Sequence, residues 1–378
     1  MLLNLKNQRN LQATQRAGRA GRVSSGICFR LYPETAYISL REKTTPEILR
    51  VNLAQVVLQL KGMGIHDPRS FDFITAPSKE SLVKAFELLF ALDGIDKNME
   101  LTNHGKMMAR LPLDPTFSNL LLQGPKYGCT LEILSAVSML SSENVFYRPS
   151  GSAGTNLSLT LKAAAAHKRF ASYEGDIPTL INVYQSWNEE AIYVPPSSGG
   201  LKAQKKRLKK LKSCSEIRSK ASRKRLMVHG EWCQRNFISG KSLVRARDVR
   251  NQLLDICSRD TSRGGMGWDV SVSCGEEMEL FLKCICGGLF LQAASRIKIQ
   301  VDAKKIQKQA TKLRNGRYKT NIGGKEVFVH PTSTMFGRNP APKCVVYTEL
   351  LVTKKTYIRG VTQVKEEWLK EVAPQFFK

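Results

Sequence analysis

The sequence predicts a multidomain α+β protein. Apolar residues recur at helical spacing from Glu47 to about residue 257, and from Ser295 the period changes to two. The 378 residues are enough for roughly two to four domains. With 42% hydrophobic residues the chain can fill several cores.

The elements follow in order. Gly26-Ile-Cys-Phe-Arg-Leu-Tyr alternates apolar and other residues and reads as a strand. Pro46 suits the first turn of a helix, where its missing N–H is harmless, and the pattern Leu49, Leu53, Val56, Val57, Leu60 predicts one helix from Glu47 to Lys61. Gly62 and Gly64 end it, and Asp67-Pro68 marks a turn. Ser78 is the N-cap expected for a second helix with Leu82, Phe86 and Leu89 on one face. Asp93-Gly94 and Asp96-Lys97-Asn98 turn the chain toward a short helix near Gly105–Arg110. Short helices joined by turns fit a winged-helix domain or a segment of a helical bundle.

Longer helices are expected over 116–125, over 130–141 with Thr130 as cap, and over 157–170, 177–190 and 241–257. In the last third, Tyr318–Ile322, Val327–His330, Val345–Leu351 and Tyr357–Val361 read as strands, with Gly323-Gly324 as a hairpin turn and a final helix over Glu366–Val372. Short strands at this spacing suit a small barrel, and an OB-fold is the barrel expected of a nucleic-acid protein.

Charge narrows the function. The chain carries a formal net charge of +27, a field that recruits polyanions by counterion release. The charge is uneven: residues 51–150 hold nine Lys/Arg against ten Asp/Glu, whereas residues 202–225 hold twelve Lys/Arg against Glu216 alone. That basic stretch lies in an insertion over 195–225 introduced by Pro195-Pro196-Ser-Ser-Gly-Gly. A nuclear-import address, an RNA-contacting loop and a solvated charged helix all fit it. The longest apolar runs fall short of the ~18 residues of a membrane span, so no membrane partner is expected. Nine cysteines without a C-x-x-C pair point to a reducing compartment, with Cys284 and Cys286 as core thiols.

The most telling string is Gln15-Arg16-Ala17-Gly18-Arg19-Ala20-Gly21-Arg22. Guanidinium forks at a spacing of three match phosphate oxygens, and the glycines permit close backbone approach. Taken alone it also fits a solvated basic loop or a nonspecific RNA-binding tail. The string resembles motif VI of the DEAH-box RNA helicases. Leu58-Gln-Leu-Lys-Gly-Met-Gly-Ile, Leu101-Thr-Asn-His-Gly, Leu111-Pro-Leu-Asp-Pro, Asn144-Val-Phe-Tyr-Arg-Pro, Trp232-Cys-Gln-Arg-Asn-Phe and Val329-His-Pro-Thr-Ser then resemble the same family in the same order.

That resemblance implies the C-terminal part of such a helicase. Its domains would be a RecA-like remnant over 1–44, a winged helix over 45–105, an all-α ratchet bundle over 106–275 and an OB-fold β-barrel over 276–378. It implies that Arg19 and Arg22 are arginine fingers reaching the transferring phosphoryl group, and that Gln15, Arg16, Gly18 and Gly21 serve the ATP site. It further implies ATP with Mg²⁺ as cofactor of the complete enzyme, single-stranded RNA as partner, activator, spliceosomal or ribosome-assembly proteins as further partners, and a nuclear or nucleolar location. The alternative is a non-catalytic RNA-binding or partner-docking module.

No G-x-x-x-x-G-K-[ST] cradle occurs: Gly240-Lys241-Ser242 has its ending, but Arg235 stands where the first glycine must be. Asp-Glu-x-His is absent too. The chain alone is therefore expected neither to hold ATP stably nor to hydrolyse it. Within the OB-like region Lys319, Lys325, Lys343, Lys354 and Lys355 are the expected phosphate contacts. Tyr318, Phe328, Tyr347 and Tyr357 are candidate stacking platforms, about half of which alternation would place in the core.

Overall fold

A computed structural model describes residues 10–40, 45–149, 157–192, 229–297 and 316–377. The basic stretch 202–225 and most of the 195–225 insertion around it lie outside these residues. The chain divides into two compact units, Met1–Phe90 with Ile95–Glu100, and Ala91–Gly94 with Leu101–Lys378.

The first unit holds α1 (Asn10–Ala17), α2 (Glu34–Ile38), a 3-10 turn at Glu47–Leu49, α3 (Ala54–Gly62) and most of α4 (Lys79–Ala91). The single helix expected from Glu47 to Lys61 is interrupted. The Asn52 carboxamide oxygen accepts the Ala54 N–H at 2.9 Å, so a side chain takes the bond that a continuing helix would have made. Gly64, at φ +90°, closes α3 as expected. The Ser78 hydroxyl accepts the Ser81 N–H at 3.2 Å ahead of α4, whose Leu82, Ala85, Phe86 and Leu89 are buried. Residues 26–30 do not form the expected strand. A strand needs a neighbouring backbone to bond; among the described residues none lies beside it, and Ile27, Phe29 and Leu31 are exposed.

The second unit begins with α5 (Asn103–Ala109), capped by Thr102 through the Gly105 N–H at 2.9 Å. Next come α6 (Pro115–Lys126), α7 (Thr130–Leu140), α8 (Leu157–Lys168), α9 (Asp176–Trp187), a helical segment at 229–236, α10 (Gly240–Ser258) and α11 (Met278–Leu289). Asp114 caps α6 with Pro115 in its first turn. Thr130 is the first residue of α7 rather than its cap: Cys129 holds that position, and the α6–α7 turn packs tightly enough to bury both. The helices meet in a core containing Met139, Val183, Trp187, Trp232, Leu243 and Ala246. The Asn119 amide donates to the Gly288 carbonyl at 3.1 Å and so fastens α6 to α11. Cys284 and Cys286 are buried, as expected of core thiols.

The sheet comprises β1 (Ala293–Arg296), β2 (Arg317–Thr320), β3 (Glu326–Val329), β4 (Cys344–Val346), β5 (Glu349–Val352), β6 (Thr356–Arg359) and β7 (Thr362–Val364), followed by α12 (Glu366–Val372). Gly323 and Gly324, both at positive φ, turn β2 into β3. The order is β5-β6-β3-β2-β1-β4-β7, with only the β3–β6 ladder parallel. Each of the strands expected at 345–351 and 357–361 is split in two. Gly360 at φ +62° breaks one, and the other bends where Thr348 faces that glycine. The register is nevertheless continuous: Val346 pairs with Thr362 and Glu349 with Arg359, three residues further along each strand. A single bent antiparallel hairpin therefore reaches β1 through β4 and β3 through β6. The hydrogen-bonded order ends at β5 and β7, so the sheet is not the closed barrel expected; chain continuity links its two ends.

The sheet core contains Ala294, Tyr318, Val327, Val329, Val345, Tyr347 and Ile358. Asp176, first residue of α9, ties the helices to the sheet. One carboxylate oxygen accepts the Thr334 N–H and hydroxyl, both at 2.8 Å, and the other accepts the Val361 N–H at 2.8 Å.

A candidate nucleic-acid face on the C-terminal sheet

Register decides which predicted contacts meet. Lys319 pairs with Glu326, Arg317 with Phe328, and Phe328 with Tyr357. Since Tyr318, Val327 and Ile358 fill the core, strand alternation sends Arg317, Lys319, Phe328, Tyr357 and Arg359 to the opposite, outer face. The Phe328 and Tyr357 rings lie 6.3 Å apart between centroids, and the Lys355 ammonium sits 5.0 Å from the centre of the Phe328 ring. Glu326 is held by Arg317, whose Nε donates at 2.8 Å, and Glu349 by Arg359 at 3.4 Å. The face remains basic, because Lys319 and Lys355 are exposed beside those pairs.

Of the five predicted lysines, the structure thus brings Lys319 and Lys355 to one face. Lys325 lies in the β2–β3 turn and Lys354 in the β5–β6 turn, both exposed at its margins. Lys343 stands apart, before β4, where its carbonyl accepts the Arg296 N–H at 2.8 Å. Phe328 and Tyr357 are half-buried on the outer face. Tyr318 and Tyr347 are core residues instead; burial pushes the ionisation of both hydroxyls up, and Tyr318 donates its own to the Pro342 carbonyl at 2.9 Å. Arg317 and Arg359 were absent from the sequence expectation. The signal that finds them is the period of two, one step from Lys319 and from Tyr357.

In the first unit, Gln15 and Arg16 occupy the last turn of α1, and Gly18 to Arg22 form the exposed turns after it. The Gly18 N–H donates to Thr14 O at 3.0 Å and the Arg19 N–H to Arg16 O at 3.1 Å, so the chain curls directly off the helix. Arg16, Arg19 and Arg22 are exposed there, with guanidinium groups available to an anionic partner. Among the described residues no helix is long and apolar enough to cross a membrane.

Residues 114–180 match a model of the helicase-associated, ratchet-like domain (HA2), and residues 281–376 match an oligonucleotide/oligosaccharide-binding (OB) fold. The chain is 34% identical over 368 residues to the pre-mRNA-splicing factor ATP-dependent RNA helicase DEAH10 of Arabidopsis thaliana, covering 97% of this chain and 44% of that protein. It is 34% identical over 372 residues to the probable ATP-dependent RNA helicase DHX35 of Homo sapiens, covering 97% and 43%. Against the pre-mRNA-splicing factor ATP-dependent RNA helicase prp22 of Schizosaccharomyces pombe the identity is 34% over 368 residues, covering 97% and 26%. The chain spans less than half the length of these relatives.

Proposed function

This chain is the counterpart of the C-terminal region of DEAH-box ATP-dependent RNA helicases, and from that kinship we propose that it binds single-stranded RNA and couples it to an ATP-driven motor. The observation that carries the proposal is the outer face of the sheet, where Lys319 and Lys355 flank the Phe328 and Tyr357 rings. Cations for phosphates beside rings for bases are what a single strand needs, and they impose little sequence preference.

The division of labour we propose follows the domain boundaries expected from sequence, at residues 44, 105 and 275. The turn after α1 supplies Arg19 and Arg22 to the nucleotide, with Gln15, Arg16, Gly18 and Gly21 shaping that turn. Exposed guanidinium groups fit the equatorial oxygens of a transferring phosphoryl group, and bound ATP with Mg²⁺ would supply the phosphoryl transfer. The sequence carries neither the phosphate cradle nor the Asp-Glu-x-His that would hold Mg²⁺, so these 378 residues by themselves bind RNA without turning over ATP. The splicing relatives favour a nuclear location and spliceosomal partners. A ribosome-assembly role and a nucleolar location rest on the family alone.

RNA affinity of the 378-residue chain, measured by fluorescence anisotropy at about 50 and about 200 mM salt, tests the reading. Affinity should fall steeply with salt, and Tyr357→Ala should weaken binding by roughly 1–3 kcal/mol. Absent or salt-insensitive binding would refute it.

A further inference from the structure

Arg148, in the segment between α7 and α8, reaches the loop after β3 and donates to the Thr332 carbonyl at 2.8 Å. It stands close enough to Arg359, at the end of β6, for the two guanidinium groups to repel one another, and both repel positive charge on His330. The fold has therefore pressed two fixed cations and an imidazole together. The carboxylates nearby do not cancel them. Asp176 attracts Arg148, but its oxygens are committed to Thr334 and Val361. Glu349 answers Arg359 alone, at a long 3.4 Å. The surrounding groups are likewise fixed. His330 Nδ1 lies 2.7 Å from the Thr332 hydroxyl, and its ring meets Tyr357 edge-on at 5.6 Å. Like charges held at partly desolvated positions cost stability until an anion arrives between them. Tyr147 is exposed next to Arg148, and Tyr357 continues into the aromatic face already described.

We propose that Arg148, Arg359 and His330 form a phosphate site, filled in the RNA-bound protein by one backbone phosphodiester of a single strand whose bases run toward Tyr357 and Phe328. The site rests on the RNA-binding reading above and extends it across the junction between helices and sheet. Guanidinium groups suit it better than lysines, since each presents a planar pair of donors to phosphate oxygens. Glu349 acts as the stand-in anion of the free state and yields Arg359 when RNA binds.

The test uses the 378-residue chain and a fluorescein-labelled oligouridylate. Arg148→Gln and Arg359→Gln should each weaken binding about tenfold and reduce the slope of log affinity against log salt by about 0.7. Glu349→Gln should do the opposite and tighten binding roughly two- to fivefold, an effect that misfolding cannot produce. Histidine-labelled protein supplies the second arm: oligouridylate should raise the His330 pKa, and inorganic phosphate should do so only at far higher concentration. If wild type binds RNA while both Arg variants keep its affinity and slope, this site is overturned and the RNA-binding reading stands. Should wild type fail to bind RNA, that reading fails; a His330 response to phosphate alone would then overturn the RNA assignment, and no response would overturn the site.

Discussion

Trp187 donates its indole N–H to His229 Nδ1 at 2.8 Å, which fixes the imidazole as the tautomer protonated at Nε2. Burial holds the His229 pKa below its usual value, and burial also lowers that of His167, whose ring packs edge-on against Phe146 at 4.7 Å. The sign of the linkage follows. The unfolded chain, with ordinary histidines near 6.5, takes up protons before the folded chain does. Stability is therefore full above about pH 6.5 and falls as the pH drops below it toward the folded values. Thermal midpoints measured at about pH 7.5 and about pH 5.5 should be lower at the acid end, and the double variant His167→Gln/His229→Gln should flatten the difference. A wild-type midpoint that does not move across that interval would show that neither ring resists its proton.

At the scale of elements, the bend in the hairpin depends on one residue. Gly360 adopts φ +62°, and a β-carbon added there would land on the Thr348 hydroxyl. Gly360→Ala should cost at least about 1–3 kcal/mol from the backbone alone, and urea unfolding should show it as a lower midpoint with an unchanged slope. A variant as stable as wild type would mean that the bend tolerates a side chain. Sequence alternation located the strands because Val345, Tyr357 and their neighbours repeat at two, but it could not divide them: Gly360 keeps the apolar rhythm while reversing its own φ. The helix break at Asn52 escaped for a similar reason. Leu49, Leu53 and Val57 hold helical spacing, and only the side-chain bond to Ala54 reveals the interruption. The caps at Ser78 and Asp114 were open to reading because capping is local chemistry.

At the scale of the whole molecule, the two proposed sites fall in different units, α1 with its turn in the first and the sheet in the second. In a longer protein that supplies the phosphate cradle and the Mg²⁺ ligands, Arg19→Ala or Arg22→Ala should lower RNA-stimulated ATP turnover by about 10³ or more while nucleotide binding survives. Turnover near wild type in both variants would remove the finger assignment. The sequence showed that motif because its arginines are neighbours along the chain. It could not show Arg148 beside Arg359, because they are far apart in sequence and meet only when a helical segment crosses onto the sheet.

The bent hairpin also has a kinetic consequence. Residues 344–364 pair with one another across a short turn, so this piece can close on the microsecond scale of an isolated hairpin, about 1–10 μs. The contacts to β1 and β3 require much longer loops and carry a larger closure entropy. Folding of the sheet is then a capture process: a prebuilt L-shaped template offers one arm to β1 and the other to β3. The angle between those arms, set at Gly360, decides whether both can dock in the same productive encounter.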